Sequence, residues 1–174
     1  MIAELEEFAR EVKLSPLHRI LLTTDGSITR ILEALEGCTV DVETVLQKVV
    51  RATPEIAEVL QIEAGEEVNH RVVNLRSCRR TLVRATSYAP LSRLEPEFRE
   101  AVMRADKPIG RIMAELELES RREILGFSAI SASAELARVF GIAQGELLLE
   151  RRYIIVYRRA PLLYITEVFP HSFF

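Results

Sequence analysis

The feature that most constrains this chain of 174 residues is a stretch that occurs twice. Residues 55–92 (EIAEVLQIEAGEEVNHRVVNLRSCRRTLVRATSYAPLS) align without a gap on residues 135–172 (ELARVFGIAQGELLLERRYIIVYRRAPLLYITEVFPHS), at a constant offset of 80. Identical pairs include Ala57 and Ala137, Gly65 and Gly145, Arg71 and Arg151, Leu82 and Leu162, Thr86 and Thr166, and Pro90 and Pro170. Each copy reads as short helix, Gly-Glu turn, strand, basic turn, strand, proline. Two such helix–hairpin units side by side would form one antiparallel sheet with pseudo-twofold symmetry. A cavity between them is a natural ligand site.

The rest of the chain supplies helices and flanking strands. Residues 2–12 have an acidic, amphipathic helical pattern. Ser15-Pro16 places a helix cap and a first-turn proline before Leu17, Ile20, Leu21 and Leu22. Ser27 opens a third helix, with Ile28, Ile31, Leu32 and Leu35 at helical spacing and Gly37 at its end. Strand signals cover 39–50, 66–77, 80–90, 121–132 and the stretch after 146. Helices are predicted from Thr53 to Leu60 and over 95–105, 108–117 and 133–140. Turns are short and no βαβ rhythm is present, so the expected class is α+β: an antiparallel sheet built from the two repeated units, flanked by helices and enclosing a cavity. The length suits one domain spanning 1–174 or two lobes sharing one core. Roughly two-thirds of the unfolded surface of such a chain can be buried.

Charge and cysteine usage exclude several functions. Lys plus Arg number 23 and Asp plus Glu 26, which leaves −3 and gives no footprint for nucleic acid or an anionic membrane. Basic clusters such as Arg121-Arg122 and Arg158-Arg159 read as solvated turns and strand edges. Cys38 and Cys78 lie forty residues apart without a CxxC spacing, which fits reduced thiols in a cytoplasmic protein. His18, His70 and His171 are scattered, so no metal site is expected. The first ten residues lack the basic start of a signal peptide, and no apolar run reaches membrane-spanning length.

The last hairpin poses the chemical question. Leu149, Arg151, Tyr153, Ile155 and Tyr157 share one strand face, and Leu163, Ile165, Glu167 and Phe169 share one on the return strand. A turn centred on Arg159 puts Arg151 opposite Glu167; a turn one residue shorter would break that pairing. An ion alone on an apolar face costs several kcal/mol or is neutralised. In the first copy the equivalent of Glu167 is Ser87. If Arg71 faces inward, its counter-charge must therefore come from elsewhere, and a ligand carboxylate would serve. The alternatives are that Arg151 and Glu167 form an ordinary cross-strand ion pair and that Arg71 reaches solvent at a sheet edge.

Four segments in order, TTDGSITRILEAL (23–35), VNHRVVNLRSCRRTLVRATSYAPLSRL (68–94), KPIGRIM (107–113) and PLLYITEVFP (161–170), resemble the chorismate pyruvate-lyase family. The resemblance implies an antiparallel sheet with helices and a ligand held beneath two flaps. It implies cofactor-independent elimination of pyruvate from chorismate, a small dicarboxylate, to give 4-hydroxybenzoate. It puts the carboxylate-binding arginine at Arg71, backbone amides for that carboxylate at Ile28 and Ile109 beside Gly110, and the catalytic glutamate at Glu167. The family's ubiquinone-pathway enzymes carry an arginine where this chain has Thr86. The second anion contact is thereby left open, with Arg151 as a candidate.

Effector domains of one class of bacterial transcription regulators share that fold. A binding module that holds a small carboxylate without turning it over is thus the second reading. The residues before the first repeat are too poor in basic side chains for a convincing DNA-recognition helix. A partner-binding protein with no pocket is the third reading.

Overall fold

Local chemistry sets the helix starts. In the computed structural model, which describes residues 1–104 and 107–174, Ser15 caps the helix α2 (Pro16–Thr23). Its hydroxyl accepts the His18 N–H at 3.1 Å, and the His18 ring Nδ1 accepts the Ser15 N–H at 3.0 Å. Ser27 caps α3 (Ile28–Glu36), which Gly37 ends in the left-handed conformation. Thr53 and Ser133 cap α4 (Pro54–Leu60) and α7 (Ala134–Phe140) through the N–H groups of Ile56 and Leu136. The chain opens with α1 (Ile2–Glu11), and α5 (Pro96–Met103) and α6 (Ile109–Glu115) lie between the repeats. The helix expected over 95–105 thus ends by Met103, and residue 105 lies outside the described residues.

Six strands form one antiparallel sheet: β1 (Asp41–Arg51), β2 (Glu67–Arg76), β3 (Thr81–Pro90), β4 (Ser120–Ser131), β5 (Leu147–Tyr157) and β6 (Ala160–Pro170). Their spatial order is β1-β2-β3-β6-β5-β4. The class is α+β, as expected. The elements α4, β2 and β3 recur as α7, β5 and β6 at the spacing of the sequence repeat. The two hairpins meet along β3 and β6, where Thr86 stands opposite its own counterpart Thr166.

One sheet face carries the odd-numbered residues of β2, β3, β5 and β6. On it α1–α3 bury Leu21, Leu22 and Leu32 against Val73, Leu75, Leu149 and Phe169. Beside them α5 and α6 bury Phe98, Val102 and Ile112 against Tyr153, Ile155, Leu163 and Ile165. The opposite face takes α4, through Leu60 on Val68, and α7, through Phe140 on Leu148 and Val168. Alternating strand faces thus sort the helices into two layers.

The β5–β6 turn differs from expectation. Tyr157 pairs with Ala160, leaving a two-residue turn in which Arg158 and Arg159 have φ of 48° and 67°. A bulge at Ile155–Val156 restores the register, so Arg151 still faces Glu167.

His18 and His171, 153 residues apart in sequence, stack with ring centroids 4.4 Å apart. Since His18 Nδ1 accepts from Ser15, its proton sits on Nε2, which lies 3.0 Å from the His171 carbonyl oxygen. Burial, then the charge of His171, lower the His18 pKa, against an opposing pull from that carbonyl. The folded state therefore binds fewer protons than the unfolded one. The associated stability is complete above about pH 6.5 and declines as pH falls below it. His18→Gln keeps a side-chain acceptor for the Ser15 N–H and removes the titration. Thermal melts of both proteins between pH 7 and 5 are expected to show a larger acid loss in the wild type. Parallel losses would assign the acid sensitivity elsewhere.

Candidate active site

Where the α1–α3 core meets the α5–α6 core, the helical layer leaves a cleft over the middle of the sheet. It holds about 580 Å³ of empty space, mouth included. Its floor comes from odd-numbered strand residues: Arg71, Val73 and Leu75 of β2, Ala85 and Ser87 of β3, Tyr153 and Ile155 of β5, and Ile165 and Glu167 of β6. Two helix starts cover it, Ser27–Thr29 of α3 and Pro108–Gly110 of α6, and Arg122 of β4 reaches its wall.

Five of the six residues singled out from the sequence line this one cleft: Arg71, Glu167, Ile28, Ile109 and Gly110. Arg71 is 2% exposed, and its Nη2 donates to the Lys107 carbonyl at 3.1 Å. It does not run to solvent at a sheet edge, because β1 covers β2. Its strand neighbour is Ser87, whose own partner across β6 is Ile165, two residues from Glu167. Two strand spacings and a two-residue step put the Arg71 and Glu167 Cα atoms about 12 Å apart.

Arg151 is the exception. It is fully buried and is not a lining residue. Its Nε donates to Glu167 Oε2 at 2.6 Å, and its Nη1 donates to the carbonyls of Leu21 and Thr24 at 2.7 and 3.1 Å. Those carbonyls belong to the last turn of α2 and to the residue that caps it, which have no intrahelical partners for them. A cation at a helix C-terminus is also electrostatically favoured. Arg151 therefore holds Glu167 and ties α2 to the sheet, while its buried Nη2 has no hydrogen-bond partner among the described residues. Burial acts to lower the Arg151 pKa, but Glu167, then Tyr153, outweigh it, and the pKa is raised.

Tyr153 and Arg122 are cleft residues that the sequence reading left aside. The Tyr153 hydroxyl donates to Glu167 Oε1 at 3.1 Å, so both carboxylate oxygens are held. Burial, then the Glu167 charge, push the Tyr153 pKa up, against Arg151 and Arg122. The phenol stays protonated and keeps its donor. A signal for Tyr153 existed: a tyrosine on an apolar strand face beside a carboxylate needs a partner for its hydroxyl. Arg122 had none, since Arg121-Arg122 resembles any solvated pair. In the fold its Nη1 donates to the Asp25 carbonyl at 3.0 Å. Its Nη2 lies close enough that a Cβ on Gly110 would meet it at 3.3 Å. Thr86 alternates with the cleft residues Ala85 and Ser87, so its side chain points to the other sheet face. The second cation at this cleft is Arg122 rather than anything near position 86.

The fold is shared with effector domains of transcriptional regulators. The effector domain of PhnF from Mycobacterium smegmatis superimposes with a TM-score of 0.72 at 14% identity, over 87% of this chain and 92% of that one. That likeness concerns the architecture alone. Sequence similarity is narrower: residues 22–173 match the family described as Chorismate pyruvate-lyase Rv2949c-like, and the chain belongs to that family. A Methanocaldococcus jannaschii protein whose name provisionally makes it a lyase is 36% identical over 94% of this chain and 85% of its own length. The Mycobacterium tuberculosis protein named chorismate pyruvate-lyase is 24% identical over 93% of this chain and 83% of its own.

Proposed function

We propose that the cleft binds chorismate and eliminates pyruvate from it, leaving 4-hydroxybenzoate. The observation that carries this reading is the pairing of Arg71 with a buried, doubly hydrogen-bonded Glu167 on one cleft floor, in a chain of this family. Chorismate has a carboxylate and a hydroxyl at opposite ends of a six-membered ring, and an enolpyruvyl ether beside the hydroxyl. Arg71 and the first amides of α3 and α6, at Ile28 and Ile109, take the ring carboxylate. Free N–H groups at helix starts favour anions, and Gly110 lets the ligand come close. Glu167 meets the ring hydroxyl at the far end. Arg122 takes the second carboxylate.

In the reaction the ring–oxygen bond of the ether breaks and its electron pair leaves with enolpyruvate. The ring loses one proton, accepted by Glu167, and becomes aromatic. Enolpyruvate then gains a proton on carbon to become pyruvate. Arg122 stabilises the charge developing on the leaving group, and the fixed carboxylate clamp supplies orientation.

Purified protein mixed with chorismate is expected to release pyruvate and 4-hydroxybenzoate in equal amounts. Arg122→Ala is expected to raise KM about tenfold, the value of one charge-assisted contact, and to lower kcat as well, because the same guanidinium faces the charge that develops on the leaving group. A raised melting temperature with either compound but no pyruvate release would instead identify a binding module, the reading that the effector-domain architecture favours. No release and no shift would remove both.

A further inference from the structure

The two cysteines, distant in sequence, meet in the fold. Cys38 follows the glycine that ends α3, and Cys78 lies in the β2–β3 turn. Their sulfurs are 2.7 Å apart, closer than two unbonded sulfurs normally rest, whereas a disulfide bond measures about 2.05 Å. The Cys78 backbone N–H also points at Cys38 Sγ, at 3.3 Å.

Both segments are held by contacts other than the thiols. The turn is closed by the Ser77 N–H donating to the Arg80 carbonyl at 2.9 Å, and the Ser77 hydroxyl accepts the N–H groups of Arg79 and Arg80. Arg80 pairs with Glu36 of α3 at 3.5 Å and lies over the Phe173 ring. The sulfurs are thus brought together by scaffolding that does not need the bond. Cys78 is exposed and Cys38 partly so, which leaves the pair open to reagents.

We propose that Cys38 and Cys78 are a redox modification site that closes to an intramolecular disulfide by exchange with a low-molecular-weight disulfide. Cys78, the more exposed of the two, gives up its proton and attacks one sulfur of the reagent, forming a mixed disulfide and releasing one thiol. Cys38 then attacks the Cys78 sulfur and expels the second thiol. Two cysteine thiols are oxidised, one reagent disulfide is reduced to two thiols, and the two cysteine protons pass to those products. The bond joins the end of α3, whose start covers the cleft, to the hairpin that carries Arg71. It also closes a forty-residue loop containing β1, α4 and β2, which restricts the unfolded chain. The sequence expectation of reduced thiols in the cytoplasm then describes the resting state, not the whole range.

The full chain, reduced and then equilibrated with oxidised glutathione, is alkylated and mapped by peptide mass. The expected product is a Cys38–Cys78 cross-link with a mass loss of about 2 Da and a melting temperature about 5–10 °C higher, both reversed by dithiothreitol. Cys78→Ser is expected to show no such rise. A stable glutathione adduct on either cysteine of the wild type would overturn the proposal. So would a covalent dimer, two thiols that still alkylate fully, or an equal rise in Cys78→Ser. None of these readouts depends on turnover of chorismate.

Discussion

Glu167→Gln is expected to lose about 10²- to 10⁴-fold in kcat for pyruvate release while KM for chorismate changes little. Glutamine has the same shape. Its oxygen can accept from Arg151 Nε, and its amide can donate to the Tyr153 hydroxyl, which accepts as readily as it donates. What disappears is the negative charge and the proton acceptor. The contacts proposed for the ring carboxylate at Arg71, Ile28 and Ile109 are untouched by the substitution, so affinity should persist, and 4-hydroxybenzoate should still raise the melting temperature. The variant also leaves the Arg151 charge without its counterion, so the assay belongs well below its lowered melting point. A kcat within about threefold of the wild type would show that another group accepts the proton and would end the assignment of Glu167 as base.

The largest expected loss of stability is that of Arg151→Met. Methionine can fill much of the arginine's volume but leaves Glu167, 4% exposed, as an isolated buried carboxylate. It also strips the Leu21 and Thr24 carbonyls of their donor. Breaking a buried pair from one side costs about 3–5 kcal/mol, which for a chain of this size lowers the melting temperature by about 10–15 °C. Arg151→Met combined with Glu167→Leu removes both charges, and only part of that loss should return. The remainder is the cost of the two helix carbonyls and of the Tyr153 hydroxyl, all left without their partners. A double-mutant cycle on thermal or urea unfolding measures the coupling directly. Strictly additive effects would mean that Arg151 and Glu167 do not stabilise one another, and that Arg151 matters only through α2.

These two expectations separate roles that the sequence presents as one. Arg71 and Arg151 occupy equivalent positions in the repeated stretches, and each faces the same side of the sheet. Arg71 lies on the cleft floor, whereas Arg151 sits beside it, occupied with Glu167 and the end of α2. The difference arises outside the hairpins. The α2–α3 segment, which packs on both hairpins, brings two carbonyls to Arg151, while the residues just before α6 bring the Lys107 carbonyl to Arg71. Equivalent residues in the two units therefore carry unlike contacts because different segments of the helical layer dock on them.

Much of the site was legible beforehand because its signals are local or periodic. Alternation along a strand put Arg151 and Glu167 among apolar residues on one face and Arg71 at the equivalent place in the first unit, while leaving open whether Arg71 turned inward or reached solvent. The opposition of Arg151 and Glu167 followed from hairpin arithmetic, and it survives because a bulge compensates for a turn shorter than expected. Helix starts at Ser15, Ser27, Thr53 and Ser133 follow from hydroxyl caps within three residues of the groups they bind.

Sequence alone thus determined the class of fold, the strand faces, the helix caps and the opposition of Arg151 and Glu167, since each depends on neighbours a few positions away or on one mirror-like pairing. Tertiary structure decided that Arg122 rather than a residue at position 86 shares the cleft and that Cys38 meets Cys78. Those contacts join segments whose separation along the chain carries no periodic trace. They exist only once the helical layer has docked on the sheet, and the free energy of that docking is spread over the whole apolar interface rather than encoded in any one motif.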